Sequence, residues 1–323
     1  MIKNLLLFSF IFSGGLLFAQ QSSNYSLYML NKFSFNPAYA GLDNSLSVTG
    51  LYRKQWSGLA NSPLTQNMNA HMPLYLLSGG IGINVENDKL GLEKNLLASL
   101  SYNFQLPLGK VGILSLGASG GIFQKTLDGS GILTPEGNYE GTTIAHNDDL
   151  PLPTNEVSET TPVFDAGIYF QSETFEAGLS VRNIREPVMR GDFFSTVLSR
   201  NYFFNAAYQI DLFRALSLHP SILVKTDLVE FQTEASLLFK YNDNIFIGGS
   251  LRGYNSNTLD AAGVIVGLNL SENITLAYAY DYTLSALNVL SNGSHELIIN
   301  YNLGREIGKG KLPKIIYNPR YIE

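Results

Sequence analysis

The chain contains 323 residues, of which 45% are hydrophobic, 15% are charged and none is cysteine. The charged fraction is well below the roughly 25% of an ordinary soluble domain, and the formal net charge of −6 argues against a general nucleic-acid-binding surface. The lack of cysteine excludes disulfides, thiolate metal sites, a cysteine nucleophile and an acylated cysteine. Two classes remain, a soluble all-β protein and an outer-membrane β-barrel.

The beginning of the chain predicts a secretory signal peptide over residues 1–19. Lys3 supplies the positive end, an interrupted apolar stretch follows, and Ala19 offers a cleavage point. The stretch is too short and too interrupted to span a bilayer as a helix, so a membrane anchor is the weaker alternative. We therefore expect an exported protein.

Residues 20–44 precede the first predicted strand. Leu27, Leu30 and Phe33 recur at helical spacing, which favours a short helix, and Asn36-Pro37 is a turn signal. We expect a periplasmic, plug-like segment that either seals the periplasmic mouth of a barrel or presents a docking surface. The spacing alone does not choose between the two.

Alternation of apolar and polar residues is the strongest pattern in the chain. It is clear over residues 96–106 and 274–282, where every second residue is apolar. Strands of ~10 residues with this pattern are typical of transmembrane barrels, whereas strands of soluble sheets average ~5–6 residues. The pattern predicts an all-β, antiparallel outer-membrane barrel over residues 45–303 with about fourteen strands. These are 45–56, 64–73, 79–87, 95–107, 111–125, 163–171, 174–183, 200–212, 215–225, 229–240, 244–253, 260–270, 273–283 and 294–303.

The predicted connections differ in length at the two ends of the barrel. Several at one end are long, whereas those at the other end are short and carry turn residues, which is the asymmetry of bacterial outer-membrane barrels with periplasmic turns. The long connection 126–161 holds seven acidic residues and no Lys or Arg, and we expect an extracellular loop. The segment 304–323 holds five basic and two acidic residues, and we expect a basic periplasmic tail.

The reactive and metal-binding residue types show no spacing that predicts a catalytic, cofactor-binding or metal site. The four histidines, His71, His146, His219 and His295, lack a recognisable nucleophile or metal-ligand spacing around them. The acids near Asp148 supply hard oxygen ligands but not the loop spacing of a calcium site. We therefore expect a protein that is not an enzyme.

Several short motifs, in this order and spacing, resemble the type IX secretion system membrane protein family PorP/SprF of the Bacteroidetes. The positions that carry the resemblance include Asn36, Pro37, Tyr39, Gly41, Gln55, Trp56, Asp281, His295 and Glu296. Asn36-Pro37-Ala38-Tyr39-Ala40-Gly41 is the most diagnostic of these motifs. The family often ends in Cys-Pro-Arg-Phe, and here Asn318 and Tyr321 replace the outer two residues.

The resemblance implies an outer-membrane barrel that assists type IX secretion. The implied partners are the secretion machinery, large cargo such as gliding adhesins and a periplasmic peptidoglycan-binding lipoprotein, in contact with outer-membrane lipid and without nucleic acid or cofactor. The alternative is an outer-membrane channel or transporter for small molecules. Inward positions such as Leu97, Phe203, Leu238, Phe246 and Ile298 favour a partly filled lumen.

Strand parity brings charged residues of separate motifs together in the lumen. Arg53, Asp281 and Glu296 point inward near the same end of the barrel, on strands that barrel closure makes neighbours. Arg252 lies two strands from Asp281. We predict that these residues form a charge-assisted network that braces the seam where the barrel closes. The alternative is a set of independent, solvated lumen charges.

Overall fold

The computed structural model describes residues 23–132, 134, 152–253 and 259–305. The predicted signal peptide, most of the acidic loop and the tail from residue 306 onward lie outside the described residues. Among those described, no helix is long and apolar enough to cross a membrane.

The described chain is a closed antiparallel barrel of fourteen strands, which confirms the predicted fold class. The first seven strands are β1 (Ser47–Lys54), β2 (Leu64–Leu74), β3 (Gly79–Leu90), β4 (Glu93–Pro107), β5 (Ile113–Asp128), β6 (Glu156–Gln171) and β7 (Phe175–Arg182). A small hairpin, β8 (Val188–Arg190) and β9 (Ser195–Val197), follows them and is not part of the barrel sheet. The remaining strands are β10 (Asn201–Tyr208) with its continuation β11 (Ile210–Phe213), β12 (Leu216–Thr226), β13 (Phe231–Tyr241), β14 (Ile245–Arg252), β15 (Ala261–Ser271), β16 (Ile274–Thr283) and β17 (Ser294–Asn302).

Each barrel strand pairs with the next one along the chain, and β17 returns to pair with β1. In this closing pair Ser47 faces Asn302 and Lys54 faces His295. Both ends of the barrel sequence therefore lie at one mouth. We call this mouth the turn end, and the opposite mouth, which carries connections 55–63, 129–155, 183–200 and 284–293, the long-loop end.

Two predicted boundaries around the acidic loop were wrong. Strand β6 begins at Glu156 and β5 continues to Asp128, so residues 126–128 and 156–161 belong to the barrel wall. Glu156, Ser158 and Thr160 are exposed polar residues on one face of β6. Apolar alternation cannot reveal a strand whose outward residues are polar, because the strand has left the apolar band of the wall.

Strand parity divides the wall into two faces. On β1, Thr49, Leu51 and Arg53 are buried and point inward, whereas Tyr52 and Lys54 are exposed on the outside. The same alternation runs through β13, where Glu234, Ser236 and Leu238 are buried between exposed neighbours. The inner face is therefore rich in polar and charged groups, which need partners inside the lumen.

We predict that the long-loop end faces the outside of the cell, because short turns are periplasmic in bacterial barrels. Val229→Cys, in the β12–β13 connection, should react with a membrane-impermeant maleimide on intact cells. Lys110→Cys, in the β4–β5 turn, should react only after permeabilisation. The native chain contributes no background, since it lacks cysteine. Labelling of position 110 but not of 229 on intact cells would contradict this orientation.

Candidate functional site: the plugged lumen

The barrel lumen is occupied by the N-terminal segment 23–44, which we call the plug. It contains three 3₁₀ turns, Tyr28–Leu30, Lys32–Ser34 and Pro37–Tyr39, and most of its side chains are buried. Asn36 begins the last turn, and its side-chain Oδ1 accepts a hydrogen bond from the Ala38 amide at 2.9 Å. Pro37 follows at the first position of that turn, where its missing N–H costs nothing.

The plug forms separate 3₁₀ turns rather than one continuous helix, and the barrel wall binds backbone carbonyls of its later residues. Asn103 of β4 donates to the carbonyls of Ala38 and Ala40, at 2.7 Å each. Ser115 of β5 donates to the Ala38 carbonyl at 2.6 Å, and Arg182 of β7 donates to the Ser34 carbonyl at 2.6 Å. These bonds satisfy buried carbonyl groups that no continuous helix pairs.

The most diagnostic family motif is the part of the plug that packs closest to the wall. The side-chain amide Nδ2 of Asn36 donates to the carbonyls of Ile168 and Leu179, at 3.2 and 3.3 Å. Tyr39 packs its ring edge-on against Tyr169, with ring centroids 5.0 Å apart. Gly41 has φ +72°, and a Cβ there would lie 2.7 Å from the Met72 carbonyl oxygen. Only glycine meets both conditions without strain.

The four charged residues predicted to converge do lie together, near the long-loop end of the lumen. Arg53 Nη1 lies 2.7 Å from Glu296 Oε2, and Arg53 Nη2 lies 2.8 Å from Asp281 Oδ2. Arg252 Nη2 lies 3.4 Å from the same Asp281 oxygen. Arg252 also binds Glu234, with Nε 3.0 Å from Oε2. We call these five residues the lumen charge cluster.

Ser26 of the plug lies at the centre of the lumen charge cluster. Its hydroxyl donates to Asp281 Oδ2 at 2.6 Å and accepts from Arg53 and Arg252, at 2.8 and 2.7 Å. The backbone amides of Ser26 and Leu27 donate to Glu296, at 2.8 and 2.9 Å. The cluster holds two arginines and three carboxylates, and these plug donors give Asp281 and Glu296 further charge-assisted hydrogen bonds.

Ser26 and Glu234 were not predicted as members of this site. Parity on the strand containing Glu234 places that carboxylate in the lumen, so its position could have been inferred. No feature of Ser26 distinguishes it from neighbouring serines in the sequence, because its role depends on how the plug enters the barrel.

A second acidic residue of the wall, Glu86 of β3, holds the first described residues. Tyr25 donates its hydroxyl to Glu86 Oε2 at 2.5 Å, and Ser23 donates to Oε1 at 3.0 Å. Burial raises the pKa of the Tyr25 phenol, and the Glu86 charge raises that pKa further. The phenol therefore stays protonated and keeps its bond. Asn24 accepts a hydrogen bond from Lys225 of β12.

The remaining family-motif residues lie outside the lumen charge cluster. Trp56 and Gln55 follow β1 at the long-loop end, where their amides donate to Ser294 Oγ and to the Pro63 carbonyl. His295 is the direct neighbour of Glu296 but points to the outer surface, where its Nδ1 lies 2.6 Å from the Tyr278 hydroxyl.

Two of the cavities beside the plug lie toward opposite mouths of the barrel. One of about 300 Å³ lies in the half of the lumen nearer the turn end, between the plug and strands β10 to β16, and its lining includes Leu30, His219 and Phe246. The other, of about 140 Å³, lies toward the long-loop end, and its lining includes Asp88 and Lys125. The plug therefore occupies the middle of the lumen and leaves space toward each mouth.

The fold and this arrangement define an outer-membrane β-barrel whose lumen is filled by its own N-terminal segment. The type IX secretion system membrane protein PorP/SprF family matches residues 17–301, and the chain belongs to that family. The family resemblance and the outer-membrane location are thereby confirmed, and the chain is a membrane component of type IX secretion. No curated protein of similar sequence was found.

Solved structures of similar fold are outer-membrane barrels. The toluene transporter TbuX of Ralstonia pickettii is 11% identical over 86% of this chain and 93% of its own, with a TM-score of 0.46. Omp33 of Acinetobacter baumannii is 6% identical over 80% of this chain and 97% of its own, with a TM-score of 0.43. The KdgM porin is 6% identical over 79% of this chain and 98% of its own, with a TM-score of 0.36.

We predict that Glu296→Gln destabilises the barrel by about 3–5 kcal/mol, because it leaves the Arg53 guanidinium buried beside one fewer charge. The matched control is Glu156→Gln, which removes a carboxylate from the exposed pair with Lys94 and should cost about 0–1 kcal/mol. Urea unfolding of the refolded proteins in micelles measures both. Equal losses in the two variants would mean that the lumen charge cluster is solvated rather than a bracing network.

Proposed function

We propose that this membrane component of type IX secretion is a non-enzymatic, sealed barrel that assists export or surface anchoring of large cargo proteins such as gliding adhesins. Family membership supports the secretion role. The observation that carries the rest is the plug, which fills the middle of the lumen and is bound on many sides by the wall. A barrel filled in this way can bind other proteins at its two ends, but it has no open lumen through which a solute could pass.

The energetics of the plug support a sealed state. Its bonds to the lumen charge cluster, to Asn103 and to Arg182 all lie within the barrel. Withdrawing the plug would exchange these bonds for bonds to water, at a net cost of about 0.5–1.5 kcal/mol for each neutral bond and about 1.5–3 kcal/mol for each bond to a charged group. A diffusion channel instead needs a continuous polar path, which the plug interrupts.

The partners in this proposal are the secretion machinery and its cargo, with a periplasmic peptidoglycan-binding lipoprotein as a candidate on the turn end. Asn302, the last residue of β17, lies at that end, and the predicted basic tail 304–323 follows it in the sequence. Five cations against two acids suit an acidic partner surface. An affinity pull-down of the tagged protein from solubilised outer membrane would identify these proteins directly.

We expect that deleting the gene from the native host depletes large secreted proteins from the cell surface and leaves uptake of small solutes unchanged. Re-expression of the wild-type chain should restore the surface proteins. The measurements are surface proteomics and solute uptake on the same cells. A normal surface proteome together with reduced uptake would contradict the proposal and support the channel or transporter alternative.

A second arm measures conductance in planar bilayers, where the wild-type barrel should give few or no open-channel steps. The variant Tyr25→Ala/Leu27→Ala/Tyr28→Ala weakens the plug's anchors and should give frequent steps. The matched control, Leu76→Ala/Leu77→Ala, changes exposed residues at the turn end and should behave like the wild type. Porin-like steps from the wild type would contradict the sealed state.

We predict that removing residues 306–323 leaves a heat-modifiable, membrane-inserted barrel but lowers secretion. The described barrel is complete without these residues, whereas their charge suits a partner. Lys309→Gln/Lys311→Gln/Lys314→Gln, in the full-length chain, separates the role of charge from that of length. If the truncated protein fails to insert, the tail serves assembly instead.

A further inference from the structure

Basic residues line up across neighbouring strands on the outer surface of the barrel. In the strand register Lys54 of β1 faces His295 on one side and Leu64 on the other. Leu64 faces Lys89 of β3, and Lys89 faces Lys94 of β4. These residues share one hydrogen-bonded row at the long-loop end, and strand parity points their side chains outward. We call them the basic row.

The residues around the basic row place it at the edge of the apolar band. Toward the turn end, the next outward row carries a pair of side-chain amides, Gln66 and Asn87, joined at 3.2 Å. The row beyond that is apolar and includes Met68 and Val85, which are 63% and 41% exposed. Outward tyrosines lie in the basic row or in the row next to it, among them Tyr52, Tyr278 and Tyr280. An aromatic girdle of this kind marks the interface between acyl chains and headgroups.

Within the described ranges, two lysines of the basic row make no salt bridge. Lys94 binds Glu156 at 2.5 Å, whereas Lys54 and Lys89 are exposed. Lys89 lies directly opposite Lys94, and the carboxylates of Glu156 and Asp128 lie near that pair. Lys54 and Lys89 are two strands apart, or roughly 10 Å. An anion between Lys54 and Lys89 would gain two cationic contacts.

The outer surface below the row is suited to acyl chains. Gly50 lies in the same outward row as Met68, and a Cβ at Gly50 would meet only Ile299, at 3.6 Å. The missing side chain leaves a notch in an otherwise apolar surface. An amphiphile could therefore place its negative headgroup on the basic row and its chains against Gly50, Met68 and Val85. A free anion would gain only the first of these contacts.

We propose that Lys54 and Lys89 bind a phosphate group of a phosphorylated glycolipid in the outer leaflet, with His295 at one side of the site. The long-loop end is the end expected to face the cell exterior, so the headgroup of an outer-leaflet lipid lies at this level. Burial of its acyl chains and pairing of its phosphate act together, as in other basic lipid-recognition surfaces. This inference concerns the outer wall and is independent of the proposed secretion role.

The test is a titration of the purified full-length protein with lipid A in detergent, followed by native mass spectrometry. Lys54→Gln/Lys89→Gln should bind phosphorylated lipid A roughly 20-fold more weakly than the wild type, since each lysine near an anionic headgroup contributes a few-fold in affinity. The matched control is Lys110→Gln/Arg214→Gln, which removes two exposed cations at the turn end. It should bind like the wild type.

A second probe, lipid A treated with phosphatase, separates phosphate recognition from acyl-chain contact. The wild type and Lys54→Gln/Lys89→Gln should bind it with equal, weaker affinity. Equal binding of phosphorylated lipid A by the wild type and this variant would overturn the proposal. Equal loss in the turn-end control would overturn it too, because the effect would then reflect net charge alone. Heat-modifiable mobility of every variant verifies that the barrel is folded.

Discussion

The contact between Ser26 and the lumen charge cluster is the interaction on which the rest of this structure depends. Two arginines and three carboxylates are buried in the lumen, and the plug's hydroxyl and amides supply hydrogen bonds that this set lacks without the plug. A fourteen-strand wall encloses more space than its own side chains fill. The plug therefore supplies both the missing volume and the missing hydrogen-bond donors.

Bonds between the wall and the plug's backbone hold the plug in the lumen but do not set its register. Asn103, Ser115 and Arg182 bind carbonyl groups, which every residue possesses, so position along the plug must be set by other features. Gly41, which alone fits against the Met72 carbonyl, and Asn36, which caps its turn while bonding two strands, supply that register. This explains in physical terms why the Asn36–Gly41 motif carries so much of the family resemblance.

The barrel could be predicted from sequence because its signal is local and repeated. Alternation marks each strand wherever the outer face is apolar, and parity then assigns Arg53, Asp281 and Glu296 to one face. Parity also placed Arg252 correctly relative to Asp281. The method failed at Glu156, where the outward residues are polar. In the plug, the spacing of Leu27, Leu30 and Phe33 predicted a short helix, and the structure has two short 3₁₀ turns there, Tyr28–Leu30 and Lys32–Ser34.

The path of the plug was beyond sequence reasoning because it depends on contacts between distant parts of the chain. Ser26 is separated from Glu296 by 270 residues, and nothing near Ser26 in the sequence indicates that partner. The outward position of His295, next to the buried Glu296, follows from parity. Its neighbours on the outer surface, Lys54 and Tyr278, follow only from the strand register.

The same separation has a kinetic consequence. The plug is among the first parts of the chain to be synthesised, but two of the strands that hold Ser26, β16 and β17, are the last. The plug cannot reach its final contacts before those strands exist. Seating of the plug is therefore a late step of folding. Contacts of such long range make that step slow in comparison with the pairing of adjacent strands.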